Sequence, residues 1–101
     1  MFTSISTEYL LGCGHIHVTV GHNGTKALKV LALLGKAGSC THCMLEALSD
    51  SISLGLRYGV PVGEYIDRLR GIRCPAPTMW PEEERILSCA DGIAKALKEF
   101  S

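Results

Sequence analysis

Hydrophobic and polar residues alternate over positions 15–20, where every second side chain is a β-branched aliphatic. A period of two is typical of a strand that buries one face, so this segment is predicted to be a half-buried β-strand. The Asn23-Gly24 pair that follows suits the positive φ angles of a tight turn. The largely apolar run 26–34 then predicts a second strand, which pairs with the first as an antiparallel hairpin, and Thr3–Leu11 is a candidate third strand.

The spacing of the apolar residues changes after the glycine-rich break at 35–38. They now recur at intervals of three and four, which is typical of a helix with one buried face. A helix is predicted from Ser39 to about Tyr58, and Gly59 is its stop signal. Its predicted buried stripe consists of Met44, Leu45, Leu48, Ile52 and Leu56.

Two shorter helices are predicted downstream. Pro61 suits the first turn of a second helix that runs to Arg70 and ends at Gly71. Prolines make the next connection irregular, apart from one short helical turn predicted at Pro81, and a terminal helix begins at Ser88. The apolar stripes are Val62, Ile66 and Leu69 in the second helix and Ala90, Ile93, Ala94, Leu97 and Phe100 in the last.

These elements predict an α+β fold, in which a small antiparallel sheet packs against three helices within one domain, residues 1–101. A chain of 101 residues that is 47% hydrophobic supports one core of this size. Ten basic and ten acidic residues give no net charge, so neither nucleic acid nor an anionic membrane surface is an expected partner. The sequence shows no run of about 20 apolar residues and no signal-like N-terminus, so a cytoplasmic location is expected.

The five cysteines are the most informative residues of the sequence. In a cytoplasmic chain they favour metal binding or redox chemistry over a disulfide framework. Cys13, Cys40, Cys74 and Cys89 each lie in a predicted turn or helix start, where backbone N–H groups are free to face a sulfur. Soft thiolates are preferred ligands of zinc and of iron–sulfur clusters, and four of them complete a closed site. The alternative is that several are small buried hydrophobic residues, because their spacing matches no standard zinc finger.

Two of these cysteines are predicted at helix heads. The Ser88 hydroxyl is expected to cap the amide of Asp91, whose carboxylate reaches back to the amide of Ser88 in a capping box. Cys89 then occupies the first helical position, where unpaired N–H groups and the helix dipole favour a thiolate. Ser39 and Cys40 repeat this arrangement at the head of the long helix.

Cys40 and Cys43 form a Cys-x-x-Cys motif. Dithiol oxidoreductases activate their attacking cysteine by a lowered thiol pKa at a helix head, so a redox role is open. The rest of the chain lacks the βαβ repetition of a thioredoxin-like domain. Cys43 is therefore expected to be a core residue of the helix interior.

The four histidines of the sequence are further candidate ligands. His15 and His17 share a predicted strand face with Cys13, which leaves open a mixed cysteine and histidine site. The alternative for both is a solvated position on the polar face of the strand. His22 falls in a predicted turn and His42 in a first helical turn, and the sequence shows a partner for neither.

Four segments of the chain form a recognisable set. They are Gly12-Cys13-Gly14 before a Val-Thr-Val strand, Leu34-Gly35-Lys36-Ala37-Gly38 before Cys40, Leu69-Arg70-Gly71-Ile72-Arg73-Cys74-Pro75, and Leu87-Ser88-Cys89-Ala90-Asp91. Together they resemble the TSCPD domain family. The four characteristic cysteines of that family fall on Cys13, Cys40, Cys74 and Cys89, whereas Cys43 lies outside the set. The resemblance covers about residues 11–100, and the name motif departs at two positions, where Leu87 and Ala90 replace its Thr and Pro.

The family includes small free-standing proteins and a region near the C-terminus of adenosylcobalamin-dependent ribonucleotide reductases. The resemblance implies a zinc-binding accessory or interaction module, with an iron–sulfur cluster as the alternative cofactor. We expect it not to be catalytic alone, because 101 residues cannot house the barrel and nucleotide sites of a reductase. The alternative function is a thiol–disulfide relay that supplies electrons to such an enzyme. A ribonucleotide reductase or another protein is the expected partner, and a homo-oligomer is compatible with the sequence.

Overall fold

The computed structural model describes residues 3–11, 14–24, 26–34, 40–74 and 86–100. The predicted helical turn at Pro81 lies outside these ranges. Within these ranges three strands precede three helices, which confirms the predicted α+β class. For seven residues within the ranges the description is limited to the backbone: Leu10, Leu11, Gly14, Leu34, Cys40, Thr41 and Phe100.

The strands form one antiparallel sheet in the order β1-β2-β3. They comprise β1 (Thr3–Leu11), β2 (Gly14–His22) and β3 (Ala27–Leu34), so the candidate third strand is present. The alternating pattern turns the aliphatic residues of β2 to one face, which the helices cover. The buried core consists of Ile16, Val18, Val20, Ala27, Val30, Ala32, Leu45, Ile52, Leu56, Ile86, Ile93, Ala94, Ala96 and Leu97.

The turn between β2 and β3 forms at the predicted Asn-Gly pair. The Asn23 side-chain oxygen accepts the N–H of Lys26 at 2.9 Å, and the Asn23 N–H donates to the Lys26 carbonyl at 3.2 Å. His22 closes β2 rather than lying within the turn, and a bulge separates it from Gly21. The bulge supplies the local twist that joins the two strands through so short a connection.

Helix α1 (Cys40–Arg57) ends at the predicted stop signal. The N–H of Val60 donates to the Gly55 carbonyl at 3.0 Å, and that of Gly59 donates to the Leu56 carbonyl at 3.2 Å. This pair of hydrogen bonds is a Schellman motif, which requires a residue with positive φ after the helix. Gly59 has φ +95° and meets that requirement without steric cost.

Two buried serines attach α1 to the edge of β3. The Ser49 hydroxyl accepts the N–H of Ala32 at 3.0 Å, and the Ser53 hydroxyl accepts the N–H of Val30 at 2.9 Å while donating to its carbonyl at 3.1 Å. Four residues of helix and two of strand both rise about 6 to 7 Å, so the two spacings match. Helix α1 therefore runs antiparallel to β3 and covers one edge of the sheet.

The predicted stripe of α1 is wrong at its N-terminal end. Met44 is 68% exposed and Cys43 is also exposed, whereas Leu45 and Ile52 are buried as predicted. The first turns of α1 extend past the last residue of β3, Leu34, so they do not pack on that strand. Periodicity identifies the apolar side of a helix, but it does not show how far the partner surface reaches.

Helix α2 (Val62–Leu69) begins one residue later than predicted, because Pro61 is its N-cap and is extended (φ −61°, ψ 140°). Its stripe is only partly buried against the core. Tyr65 of α2 packs onto Gly55 of α1 so closely that a Cβ at Gly55 would overlap the tyrosine hydroxyl. The small residue at this position therefore allows the two helices to meet.

Helix α3 (Cys89–Phe100) crosses the inner face of β1 and β2. Gly92 lies against Ile16 and Tyr9, since a Cβ added there would be 3.6 Å and 3.8 Å from their side chains. Further along the helix, the Thr7 hydroxyl donates to the Glu99 carboxylate at 3.3 Å. The N-terminal end of α3 consequently points toward the end of β1 at Leu11 and the start of β2 at Gly14.

Candidate functional site

The head of α3 has the predicted N-cap. The Ser88 hydroxyl accepts the N–H of Asp91 at 3.1 Å, and Cys89 is the first residue of the helix. Ser88 and Asp91 are each only 5% exposed. The helix start is therefore buried, and the Ser88 hydroxyl supplies an acceptor for one of its first N–H groups.

The Asp91 carboxylate does not close the predicted capping box on Ser88. One oxygen accepts the N–H of Leu87 at 3.0 Å, and the other accepts the N–H of Gly71 at 3.0 Å. A carboxylate has two oxygens to offer, and the chain that leaves α2 supplies a second amide at the same point. Asp91 thus holds the segment 71–74 against the head of α3.

The same contact brings two of the candidate cysteines together. The backbone N–H of Cys74 donates to the Leu87 carbonyl at 2.9 Å, and Leu87 is followed by Ser88 and Cys89. Both side chains are half-buried. Cys74 and Cys89 lie 15 positions apart in the sequence, yet this hydrogen bond joins Cys74 to the residue two positions before Cys89.

The long helix α1 brings its first residue to the same end of the sheet. Ser49 lies beside Ala32, which pairs with Val18. From Ser49 back to Cys40 the helix rises about 13 Å at roughly 1.5 Å per residue. From Val18 back to Gly14 the strand also rises about 13 Å at roughly 3.3 Å per residue, in the same direction.

Three sets of helix and strand ends therefore lie toward one end of the sheet. They are the head of α1 at Cys40, the head of α3 at Cys89 with Cys74 beside it, and the strand ends Leu11 and Gly14. Those two strand ends lie opposite each other in the register of β1 and β2. All four predicted ligands are thus carried by, or adjoin in sequence, segments that reach this end.

The side chains of two predicted ligands fall outside the described part of the chain. Cys13 is not described, and for Cys40 the description ends at its helical backbone. Within the described ranges no three His, Cys, Asp or Glu side chains are placed to hold a metal ion. The four-cysteine site accordingly stays a prediction, of which the structure describes the Cys74 and Cys89 half.

The histidines of β2 do not join that half. The Glu8 carboxylate lies 3.5 Å from the His15 ring and 3.1 Å from the His17 ring, on the open face of the sheet. All three side chains are about half exposed, so these are solvated contacts of little energetic weight. His22 accepts the N–H of Gly24 at 3.0 Å, and His42 is half-buried in the first turn of α1.

The sequence indicated the cysteines that are proposed to bind the metal. It did not indicate the residues whose hydrogen bonds hold the cysteine-bearing segments together. It assigned Asp91 a local partner, but the carboxylate also bonds Gly71, which no short-range pattern indicates. A buried carboxylate with an apolar surround needs several donors, so an aspartate in the first turn of α3, next to the apolar stripe of that helix, was the available signal.

The comparison that decides the family is a match over residues 3–101 to the model of the TSCPD domain. The chain belongs to the TSCPD domain family. The match spans all three strands and all three helices, so the predicted resemblance is confirmed. No solved structure matches this TSCPD domain.

Several curated relatives are vitamin B12-dependent ribonucleotide reductases. The protein from Streptomyces clavuligerus is 28% identical over 96 residues, which is 92% of this chain and 10% of that reductase. Those from Streptantibioticus cattleyicolor and Streptomyces avermitilis are each 30% identical over 70 residues, or 68% of this chain, and 12% and 7% of the respective reductases. This TSCPD domain therefore spans about a tenth of the length of the relatives it matches.

In the described ranges, none of the helices is both long enough and apolar enough to cross a bilayer.

Proposed function

We propose that this TSCPD domain is a metal-binding accessory module for a ribonucleotide reductase, with zinc held by Cys13, Cys40, Cys74 and Cys89. The observation that carries the proposal is the hydrogen bond from Cys74 to Leu87, which places two cysteine-bearing segments side by side. Chain direction brings the heads of α1 and α3 to the same end of the sheet. The link to a reductase rests on the similarity to B12-dependent enzymes.

The chemistry of the donors fits zinc. Four thiolates are soft ligands that satisfy the usual coordination of a structural zinc ion and leave no open position. An iron–sulfur cluster accepts the same donors and is the second candidate. Asp91 is committed to two backbone amides, so it supports the segments that carry the ligands and is not itself a candidate ligand.

The local charges also fit. A zinc ion with four thiolates carries two negative charges, which helix N-termini stabilise through their unpaired N–H groups. Cys40 and Cys89 are the first residues of α1 and α3. Arg73 lies next to Cys74 and is exposed, so it adds a positive charge on the open side of this end. The ion would join four segments of a small domain and thereby stabilise its fold.

A thiol–disulfide relay is the second candidate function. The exposure of Cys43 favours it, because an accessible thiol one helical turn from Cys40 is suited to exchange with a partner protein. In that reaction the Cys40 and Cys43 thiols would become one disulfide, while a disulfide of the partner protein would take up the two electrons and two protons and become two thiols. The relay requires both Cys40 and Cys43. Of these two cysteines, the metal site requires only Cys40.

The metal content of purified variants separates the two functions. We expect about one zinc per wild-type chain and per Cys43→Ser chain, and loss of zinc in Cys74→Ser and Cys89→Ser. Cys43→Ser is the matched control, because it removes a thiol at an exposed position. Metal-free wild-type protein that loses disulfide reductase activity on either Cys40→Ser or Cys43→Ser would instead establish the relay.

Association with a reductase needs its own measurement. The domain would be titrated into a purified B12-dependent ribonucleotide reductase from the same cell, and binding followed by calorimetry with the Cys89→Ser variant as control. Saturable binding by the wild type alone supports an accessory role that depends on the metal-loaded fold. If zinc-loaded wild-type protein does not bind the reductase, the domain is a metal-binding protein but the accessory role is contradicted.

A further inference from the structure

The two edge strands of the sheet, β1 and β3, differ in how their outward backbone groups are covered. At β3, the hydroxyls of Ser49 and Ser53 bond the outward backbone groups, and α1 covers the edge. At β1, strand pairing within the described ranges is with β2 alone. Thr3, Ser4, Ile5 and Ser6 are exposed along this edge.

Strand β1 also lacks the features that protect an open edge. Its nine residues contain no proline, lysine or arginine, and its pairing with β2 is free of bulges. The one charged residue, Glu8, is turned to the open face and interacts with His15 and His17. Natural edge strands are usually blunted by such residues or bulges, so an unprotected strand of this length indicates a pairing surface.

The serine contacts of α1 establish which backbone groups of β1 face outward. Because the N–H groups of Val30 and Ala32 point away from β2, their partners on β2 turn their own groups toward β1. Val18 is one of these partners, and it pairs with Thr7. Thr7 therefore bonds inward, and its neighbours Ser6 and Glu8 present their N–H and carbonyl groups to the open edge.

We propose that β1 is the pairing edge of a symmetric dimer, in which the β1 strands of two copies align antiparallel and continue one sheet across both domains. The twofold axis passes through Thr7, so that Ser6 exchanges hydrogen bonds with Glu8 of the second copy. Ser4 likewise pairs with Leu10, and both pairs consist of residues whose backbone groups face outward. This register overlaps the entire length of β1.

Side chains favour the same register. Ile5 and Tyr9 lie on the inner face, and in this alignment they become direct cross-strand neighbours between the two copies. An isoleucine that is 41% exposed in one copy is thereby covered by an aromatic ring, a favourable cross-strand pair. If the two β1 strands slide by two residues in one direction, Glu8 of one copy lies opposite Glu8 of the other. Two like charges directly opposite each other are destabilising.

The oligomeric state tests the proposal, measured by sedimentation equilibrium over a wide concentration range. We expect a dimer, and we expect Ser6→Pro to raise its dissociation constant by at least about tenfold because the outward N–H is lost. Ser6→Ala is the matched control: it also removes the 3.1 Å contact between the Ser6 and Thr19 hydroxyls but keeps the N–H, so the dimer persists. Circular dichroism confirms that each variant is folded.

A second pair of variants distinguishes the edge from the open face of the sheet. Ile5→Lys should dissociate the dimer, whereas Leu31→Lys should not, although Ile5 and Leu31 are equally exposed at 41% and 40%. In hydrogen exchange, the amides of Ser6 and Glu8 should lose protection on dilution, and that of Thr7 should keep it. A monomeric wild type, or dissociation by Leu31→Lys as strong as by Ile5→Lys, would overturn the proposal.

Discussion

The Asp91 carboxylate accepts the backbone N–H of Gly71 at 3.0 Å and so joins two segments that are 20 positions apart. Its second oxygen accepts the N–H of Leu87, and the carbonyl of Leu87 accepts the N–H of Cys74. One buried side chain thus organises the neighbourhood in which two candidate ligands lie.

Replacing Asp91 by Asn should destabilise the domain by on the order of 2 kcal/mol. The amide group would present N–H donors to one of two backbone N–H groups, which would then be buried without an acceptor. Urea unfolding measures the loss, and Asp50→Asn on the exposed side of α1 is the control. Zinc affinity should fall with stability, since metal binding and folding are coupled. A fully stable Asp91→Asn protein would show that the two amides need no charged acceptor.

Replacing Ser53 by Ala should cost about 1 to 3 kcal/mol, because it leaves the Val30 N–H buried without a partner. Ser51→Ala on the exposed side of the same helix should change stability very little and controls for helix propensity. Hydrogen exchange gives a residue-level result, in which the Val30 amide loses protection in Ser53→Ala alone. Equal stability of the two variants would contradict the role of α1 in closing the β3 edge.

Two glycines in helices should respond oppositely to alanine. Gly92→Ala should stabilise the domain by about 0.5 to 1 kcal/mol, because its new methyl group finds ordinary van der Waals contacts and the unfolded chain loses freedom. Gly55→Ala should destabilise it, because the methyl group overlaps Tyr65 and separates α1 from α2. Thermal unfolding of both variants provides the comparison. A stabilising Gly55→Ala would mean that Tyr65 moves away at no cost.

Tyr9 should make stability depend on pH in the alkaline range. Burial, and secondly the negative charge of Glu99, raise the pKa of Tyr9 to about 12 from the ordinary value of 10.0. The folded state therefore retains the proton that the unfolded state loses, so this contribution is complete below about pH 10 and declines as the pH rises toward about 12. Urea unfolding at increasing pH should show a shallower decline in Tyr9→Phe than in the wild type.

Tyr9→Phe should cost little stability at neutral pH, because the buried Tyr9 hydroxyl has no hydrogen-bond partner within the described ranges. Tyr58→Phe is the matched control, since Tyr58 is 84% exposed and should leave the alkaline decline unchanged. Identical pH profiles for the wild type and Tyr9→Phe would place the origin of the decline elsewhere.

Much of this fold was predictable because its signals are local. The alternation of β2, the Asn-Gly turn and the Ser88 cap depend on residues a few positions apart, and each formed as predicted. The bond from Asp91 to Gly71 joins distant segments, so no short window contains it. The positions of Met44 and Cys43 depended on where the sheet ends, which the helical period does not encode.

In the candidate site, too, the features that depend on nearby residues were predictable and the contact between distant segments was not. Sequence placed Cys40 and Cys89 at helix heads, and both helices begin at these residues. It did not foresee that Cys74 hydrogen-bonds beside the head of α3, because that bond depends on the path of the chain after α2. The resemblance to a family supplied the grouping of the four cysteines, and the directions of α1 and α3 supply a spatial reason for it.

The most direct test of the central proposal is X-ray absorption spectroscopy at the zinc edge of the purified domain. Four sulfur ligands at about 2.3 Å are predicted, and the same spectrum is expected for the Cys43→Ser variant. A first shell that contains nitrogen or oxygen ligands at about 2.0 Å, or that loses a sulfur in Cys43→Ser, would contradict a site made of Cys13, Cys40, Cys74 and Cys89.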